Sequence, residues 1–291
     1  MSVAPVRTPD DQTVPVAPAP TRRVRTLVTL GDSTPVGVGD PAPGGGWRGF
    51  PVLLRDALGA SELVNPSRTG ARMAEVRHRQ LPVAVAAGPD AVVLFVGMND
   101  TLRSDFDPGR IRADADAVVT ALRGVGAHVL MPRYHDHTRV FRLPRSLQGA
   151  LRARIESVNA AIDAVAAAHR GWVTVLDLDA LPGGYEPDAW AVDRLHPSER
   201  GHRLLAAGFA RLLGDAGFAV PHPVGLECGG GREITSAHRA AWLLLKGVPW
   251  LVRRSRDLVP VVAAALVESR GRATPAVRGR PTTGRRTIAE G

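Results

Sequence analysis

The chain has 291 residues, 44% of them hydrophobic and only 4% aromatic, enough aliphatic side chain for one large core or two small ones. No apolar run reaches the roughly 20 residues of a membrane span, the N-terminal MSVAPVRTPDDQTVPVAPAPTRRVR lacks the apolar centre of a secretory signal, and Cys228 is the only cysteine; an intrachain disulfide is excluded and a cytoplasmic setting is expected. The formal charge of +9 does not point to nucleic acid, because residues 1–25 hold four Arg and two Asp, residues 269–291 hold six Arg and one Glu, and the body between them is nearly neutral, without the basic face that a phosphate backbone requires.

Residues 1–23 are rich in Pro, Val, Ala and Thr without periodicity and read as a disordered leader. Strand-like and helix-like stretches then alternate. Val24–Leu30 is a β-rich run, and Trp47–Leu58 carries apolar residues at helical spacing up to a Gly stop. Leu63 and Val64 form a brief second strand. Ala91–Val96 (AVVLFV) is a continuous apolar run after a Pro-Asp turn, the pattern of a strand buried on both faces. Pro108–Leu122 reads as a helix ended by Gly124 and Gly126. His128–Met131 is a strand stopped by Pro132. A long helix at Ser146–His169, a strand at Val173–Leu178 and a helix at Ser198–Ala216 complete the unit. This alternation implies an α/β fold with a central parallel sheet covered on both faces.

In such sheets ligands gather beyond the carboxyl ends of the strands. Polar residues with chemical capacity fall there: Ser33 after the first strand, Asn65 to Gly70 after the second, Asn99 and Asp100 after the third, Arg133 to His137 after the fourth, and Asp179–Pro197 after the fifth. Acyl transfer by serine needs a hydroxyl, a base and donors for the oxyanion. Ser33 in LGDS supplies the hydroxyl. Asp193 and His196 in DRLHPS supply a carboxylate that can hold one ring nitrogen and a base whose other nitrogen faces the serine. Asn99 in GMND offers a side-chain amide, Gly70 in SRTGARM a closely approachable N–H, and Ser33 its own N–H. Asp32 and Asp100 are read as braces that accept backbone hydrogen bonds.

These four blocks, in order and in spacing, resemble the SGNH (GDSL-type) hydrolases over residues 24–217. The family's four named residues fall on Ser33, Gly70, Asn99 and His196, and its Asp-x-x-His pattern on Asp193. The resemblance implies a flavodoxin-like three-layer α/β/α sandwich. It also implies esterase, lipase, thioesterase or deacetylase activity on a small-molecule acyl ester, with no metal and no cofactor. Two rivals stay open: an acyltransferase or carbohydrate deacetylase with the same machinery, and a non-catalytic membrane or protein adaptor.

Four further features carry weaker signals. RYHDHTR (Arg133–Arg139) has two His around an Asp but no further ligand set, so it reads, with Val140–Leu143, as a mobile lip rather than a metal site. GVGDPAPGGG (Gly37–Gly46) lacks the spacing of a phosphate loop and reads as a flexible rim beside Ser33. Cys228 has no base partner and reads as incidental. After a linker at 218–234, residues 235–269 form two apolar helical runs broken at Gly247–Pro249. This C-terminal helical extension is expected to pack on the sandwich or at a dimer contact, with peripheral membrane contact through 236–268 as the alternative. A disordered basic tail follows at 270–291.

Overall fold

Five apolar runs become five parallel strands: β1 (Thr26–Gly31), β2 (Glu62–Val64), β3 (Ala91–Phe95), β4 (His128–Arg133) and β5 (Val173–Asp177). Their spatial order is β2-β1-β3-β4-β5. The computed structural model describes residues 22–140 and 145–229. The expected leader up to residue 21, the helical extension, the basic tail, and residues 141–144 and 230–234 lie outside the described residues.

The connecting helices are α1 (Ser33–Val36), α2 (Gly49–Leu58), α3 (Met73–Glu75), α4 (Leu81–Ala86), α5 (Met98–Thr101), α6 (Pro108–Gly124), α7 (Arg145–Ala168) and α8 (Glu199–Asp215). α2 and α8 pack together on one face of the sheet, and α6 and α7 pair on the other. The result is the expected three-layer sandwich. All five residues of β3 are buried, as a strand covered on both faces must be. Three of the six phenylalanines cluster above its carboxyl end: Phe50 of α2 lies 5.9 Å from Phe95 and 5.5 Å from Phe209 of α8, ring centre to ring centre.

The strand order places the switch point between β1 and β3. The chain leaves β1 toward α2 on one face and leaves β3 toward α6 on the other. A crevice opens between the two loops, where open α/β sheets bind ligands.

Several boundaries differ from the sequence reading, each for a local reason. Trp47 lies outside α2 and is 47% exposed. β4 runs through Pro132 instead of stopping before it. Pairing with β3 ends at Leu130, while pairing with β5 continues to Arg133↔Asp177. His128 N–H donates toward β3 and Val129 N–H toward β5. The nitrogen of Pro132 therefore faces the β3 side, where pairing has already ended, and the ladder to β5 is untouched. The sequence reading placed no element between Val64 and Ala91, yet α3, a π turn (Val76–Gln80) and α4 fill it. Pro82 there sits in the first turn of α4, where its missing N–H costs nothing.

The π turn has a structural task. β2 is short and pairs with β1 only as far as Val28. Beyond that point the side-chain amide of buried Gln80 substitutes for a strand: Gly31 N–H donates to its Oε1 (2.8 Å) and its Nε2 donates to Gly31 O (2.9 Å). Gly31 itself cannot carry a side chain. Its φ is +148°, and a Cβ would run into the Phe95 carbonyl oxygen. Gln80→Met keeps the shape of the side chain but leaves Gly31 N–H buried without an acceptor. We expect a loss of about 1–3 kcal/mol, read in urea unfolding as a lower midpoint with an unchanged slope.

Candidate active site

β1 delivers the chain to Asp32, whose N–H donates to Phe95 O (3.3 Å) and whose side chain caps α1 by accepting from Thr34 N–H (3.0 Å). Ser33 is the first residue of that single turn and is 8% exposed. Its Oγ lies 2.8 Å from Nε2 of His196, a residue 163 positions away.

His196 Nδ1 lies 2.6 Å from Asp193 Oδ2, while Asp193 Oδ1 accepts from the N–H groups of Leu195 (2.9 Å) and His196 (3.0 Å). Burial pushes the Asp193 carboxyl up, but those bonds, with that from the His196 ring foremost, outweigh it and hold the group below the usual carboxylate range. An ionised carboxylate only accepts, so Nδ1 carries the ring proton and Nε2 presents its lone pair to the serine hydroxyl. The loop bearing His196 is tied to the serine side by buried His202 of α8, whose Nδ1 accepts from Phe50 N–H (3.2 Å) and whose Nε2 donates to Val38 O (3.0 Å). Burial pushes that ring down to about 4, so it stays neutral and can accept and donate at once.

Asn99 lies in α5, directly after β3. Its Nδ2 donates to Asp32 Oδ2 (3.3 Å) and to Ala71 O (3.2 Å). Both amide hydrogens are thus engaged, and a reacting oxyanion would have to replace one of these two long bonds. Gly70 stands beside this contact in the left-handed region at φ +83°. Its block is tied to the end of β1 through Arg68 N–H to Gly31 O (3.1 Å) and Ser67 Oγ–H to Thr29 O (3.1 Å). Asp100 fastens the same block from the other side: its carboxylate accepts from Met73 N–H (3.2 Å) and from Arg72 Nε (3.2 Å). Burial raises Asp100, against the opposing bonds from Met73 and Arg72.

Asp32 is raised to about 6, by burial first, against bonds from Thr34 and Asn99 and the charge of His196. A largely apolar hollow adjoins it, with Met98, Tyr134, His135, Trp190 and Leu195 among its walls. Asp32 and Thr34, Met98, and Leu195 and Pro197, all in its walls, flank Ser33, Asn99 and His196 in sequence, so the hollow lies alongside the polar constellation. Among the described residues no cluster of three or more His, Cys, Asp or Glu could hold a metal ion. No described helix is long and apolar enough to cross a membrane.

The described part of the lip expected at Arg133–Leu143, Arg133–Val140, is a packed wall instead. Tyr134, His135, His137, Thr138 and Val140 are all buried. Asn159 of α7 grips Tyr134 at both backbone groups (2.8 and 2.7 Å), and Asp136 caps a short turn at His137–Arg139. No sequence signal marked this wall, nor the roles of Gln80 and Trp190, since each is set by contact with a distant segment.

Chain and fold together define an ester-hydrolysing class. A family model, the GDSL-like Lipase/Acylhydrolase family, matches residues 29–204, more than half of the chain, and the protein belongs to that family. Its fold is similar to TesA (24% identity, 66% of this chain and 99% of the other, TM-score 0.53). LAE5, an alpha/beta hydrolase enzyme from the metagenome of Lake Arreo, Spain, gives 22% identity, 67% and 97% coverage, and TM-score 0.54. A catalytic mutant of an acetylxylan esterase from Geobacillus stearothermophilus gives 19%, 69% and 97%, and 0.53. No curated protein matches the chain.

The raised Asp32 carboxyl gives a pH signature. The folded state keeps this proton up to about pH 6, whereas an unfolded chain releases it near the ordinary 3.8. Between those values the folded state binds more protons, so stability falls as pH rises. Relative to Asp32→Asn, the native chain is expected to lose up to about 3 kcal/mol between pH 4 and pH 7, measured by urea unfolding across that range.

Proposed function

We propose that the protein is a serine hydrolase that cleaves small carboxylic esters through an acyl-enzyme. The observation that carries this reading is the unbroken line from Ser33 Oγ to His196 Nε2 (2.8 Å) and from His196 Nδ1 to Asp193 Oδ2 (2.6 Å). A serine hydroxyl is a weak nucleophile at neutral pH and needs such a base.

His196 takes the Ser33 proton as Oγ attacks the ester carbonyl. Asp193 keeps the ring in the right tautomer and stabilises the imidazolium that forms. The oxyanion is held by the N–H groups of Ser33 and Gly70 and by the Asn99 amide, which exchanges its bond to Asp32 or Ala71 for one to the reacting oxygen. His196 then gives its proton to the leaving alcohol, the ester bond breaks, and the acyl group stays on Ser33. Water, deprotonated by the same ring, attacks the acyl-enzyme and releases the acid. The apolar hollow beside Asp32 supports an acyl or alkyl group as part of the substrate.

Steady-state hydrolysis of p-nitrophenyl acetate tests the roles. Ser33→Ala is expected to leave essentially no turnover. Asn99→Ala is expected to lose about 10²–10³ in kcat, the usual effect of one oxyanion donor. Full turnover by Ser33→Ala would end this reading.

A further inference from the structure

His135 and His137 take no part in the reaction as proposed, yet both are buried beside it. After β4 the chain enters the turn His137–Arg139, capped by Asp136, whose Oδ1 accepts from Thr138 N–H (3.1 Å). Arg152 of α7 holds the other Asp136 oxygen (3.0 Å). The turn sets the His137 ring edge-on against Trp190, with centroids 5.0 Å apart at 80°. It also puts His137 Nε2 3.2 Å from the carbonyl oxygen of Arg194.

Arg194 lies between Asp193 and His196, and it is unusual. Its φ is +53°, the only positive φ at a non-glycine position among the described residues. A left-handed residue other than Gly costs roughly 1–2 kcal/mol and persists only where its surroundings hold it. Here the conformation belongs to the turn in which Asp193 Oδ1 receives the N–H groups of Leu195 and His196 while Oδ2 meets the ring. A second tie, from Arg194 Nη1 to Val140 O (3.4 Å), joins the same two loops.

The chemistry of the partners fixes the protons. A carbonyl oxygen can only accept, so His137 Nε2 carries a hydrogen and donates to Arg194. In a neutral ring Nδ1 is then an acceptor. His135 Nε2, 2.9 Å from it, must be the donor. Burial, the largest cause in each case, pushes His137 down to about 3 and His135 down to about 4, so both rings are neutral at ordinary pH.

We infer that His137 is a positioning residue for His196: it clamps the left-handed Arg194 carbonyl, and His135 selects the tautomer that lets it do so. This rests on the reading that His196 is the base. Its function is indirect: the His137 ring lines the apolar hollow, but its nitrogens are bonded to His135 and Arg194 rather than to Ser33. It keeps the Asp193–His196 turn in the one shape that aims Nε2 at Ser33.

Two substitutions separate this from mere packing. Gln at position 137 can place an N–H near the Nε2 position, whereas Asn falls short of the Arg194 carbonyl. His137→Asn is expected to lose about 10²-fold in kcat on p-nitrophenyl acetate, the scale of a roughly 1 Å misplacement, with KM little changed. His137→Gln is expected to recover most of the loss. Wild-type kcat in folded His137→Asn, or a loss that Gln does not relieve, overturns the inference. A measurement on the native chain covers the case in which the variants fail to fold. Imidazole 15N NMR should report both rings neutral and protonated at Nε2 at pH 7, and a proton on Nδ1 of His137 overturns the inference directly. Ser33→Ala runs in parallel. If it retains turnover, the base reading fails and takes this inference with it; if it is dead while His137→Asn is normal, only the clamp is wrong.

Discussion

The line of two short hydrogen bonds from Ser33 through His196 to Asp193 is the interaction that the rest of the architecture serves. Its Ser33–His196 bond joins residues 163 apart in sequence, so it exists only if β1 and the loop before α8 finish at the same edge of the sheet. Parallel strands supply that, because all five point their carboxyl ends the same way. The remaining freedom is removed by buried polar side chains that bind backbone. Gln80 holds the last residue of β1, His202 ties α8 to both ends of the loop after Ser33, and Asp100 fixes the Gly70 block to α5. Each would be costly if left without its partner, which makes the edge of the sheet rigid where a reaction geometry is required.

Three carboxyl groups near the serine are tuned in different directions by their surroundings. Asp193 is held low because bonds from the His196 ring and two backbone N–H groups outweigh its burial. Asp32 and Asp100 are raised because burial dominates over their bonds, and Asp32 also feels the charge of Asp100. The carboxylate facing the imidazole is therefore ionised with the least resistance, while the one beside Asn99 is the easiest to protonate. Environment divides similar side chains into different tasks.

Much of this was legible from residue order. The strands declared themselves as continuous apolar runs, and the polar residues that follow them, Ser33, Asn99, Asp193 and His196, meet at one edge as parallel topology demands. Strand ends shifted by a residue or two because pairing, not composition, sets them; Pro132 shows this, since its missing N–H faces the ladder that has already ended. The π turn at Val76–Gln80 and the role of Gln80 were not legible, because a side chain that replaces a strand is defined by tertiary contact. The same holds for Asn99, whose amide is spoken for by Asp32 and Ala71, and for the RYHDHTR stretch. A polar, histidine-rich loop resembles a mobile surface segment until Asn159, Trp190 and Arg194 are seen to enclose it.

The most direct measurement is covalent trapping. A fluorophosphonate added to the purified chain at neutral pH should attach once, with the adduct mapped by peptide mass spectrometry to Ser33, and His196→Ala should slow that attachment by orders of magnitude. An adduct at another residue, no adduct, or an equal rate without the imidazole would contradict an account in which that ring activates that hydroxyl.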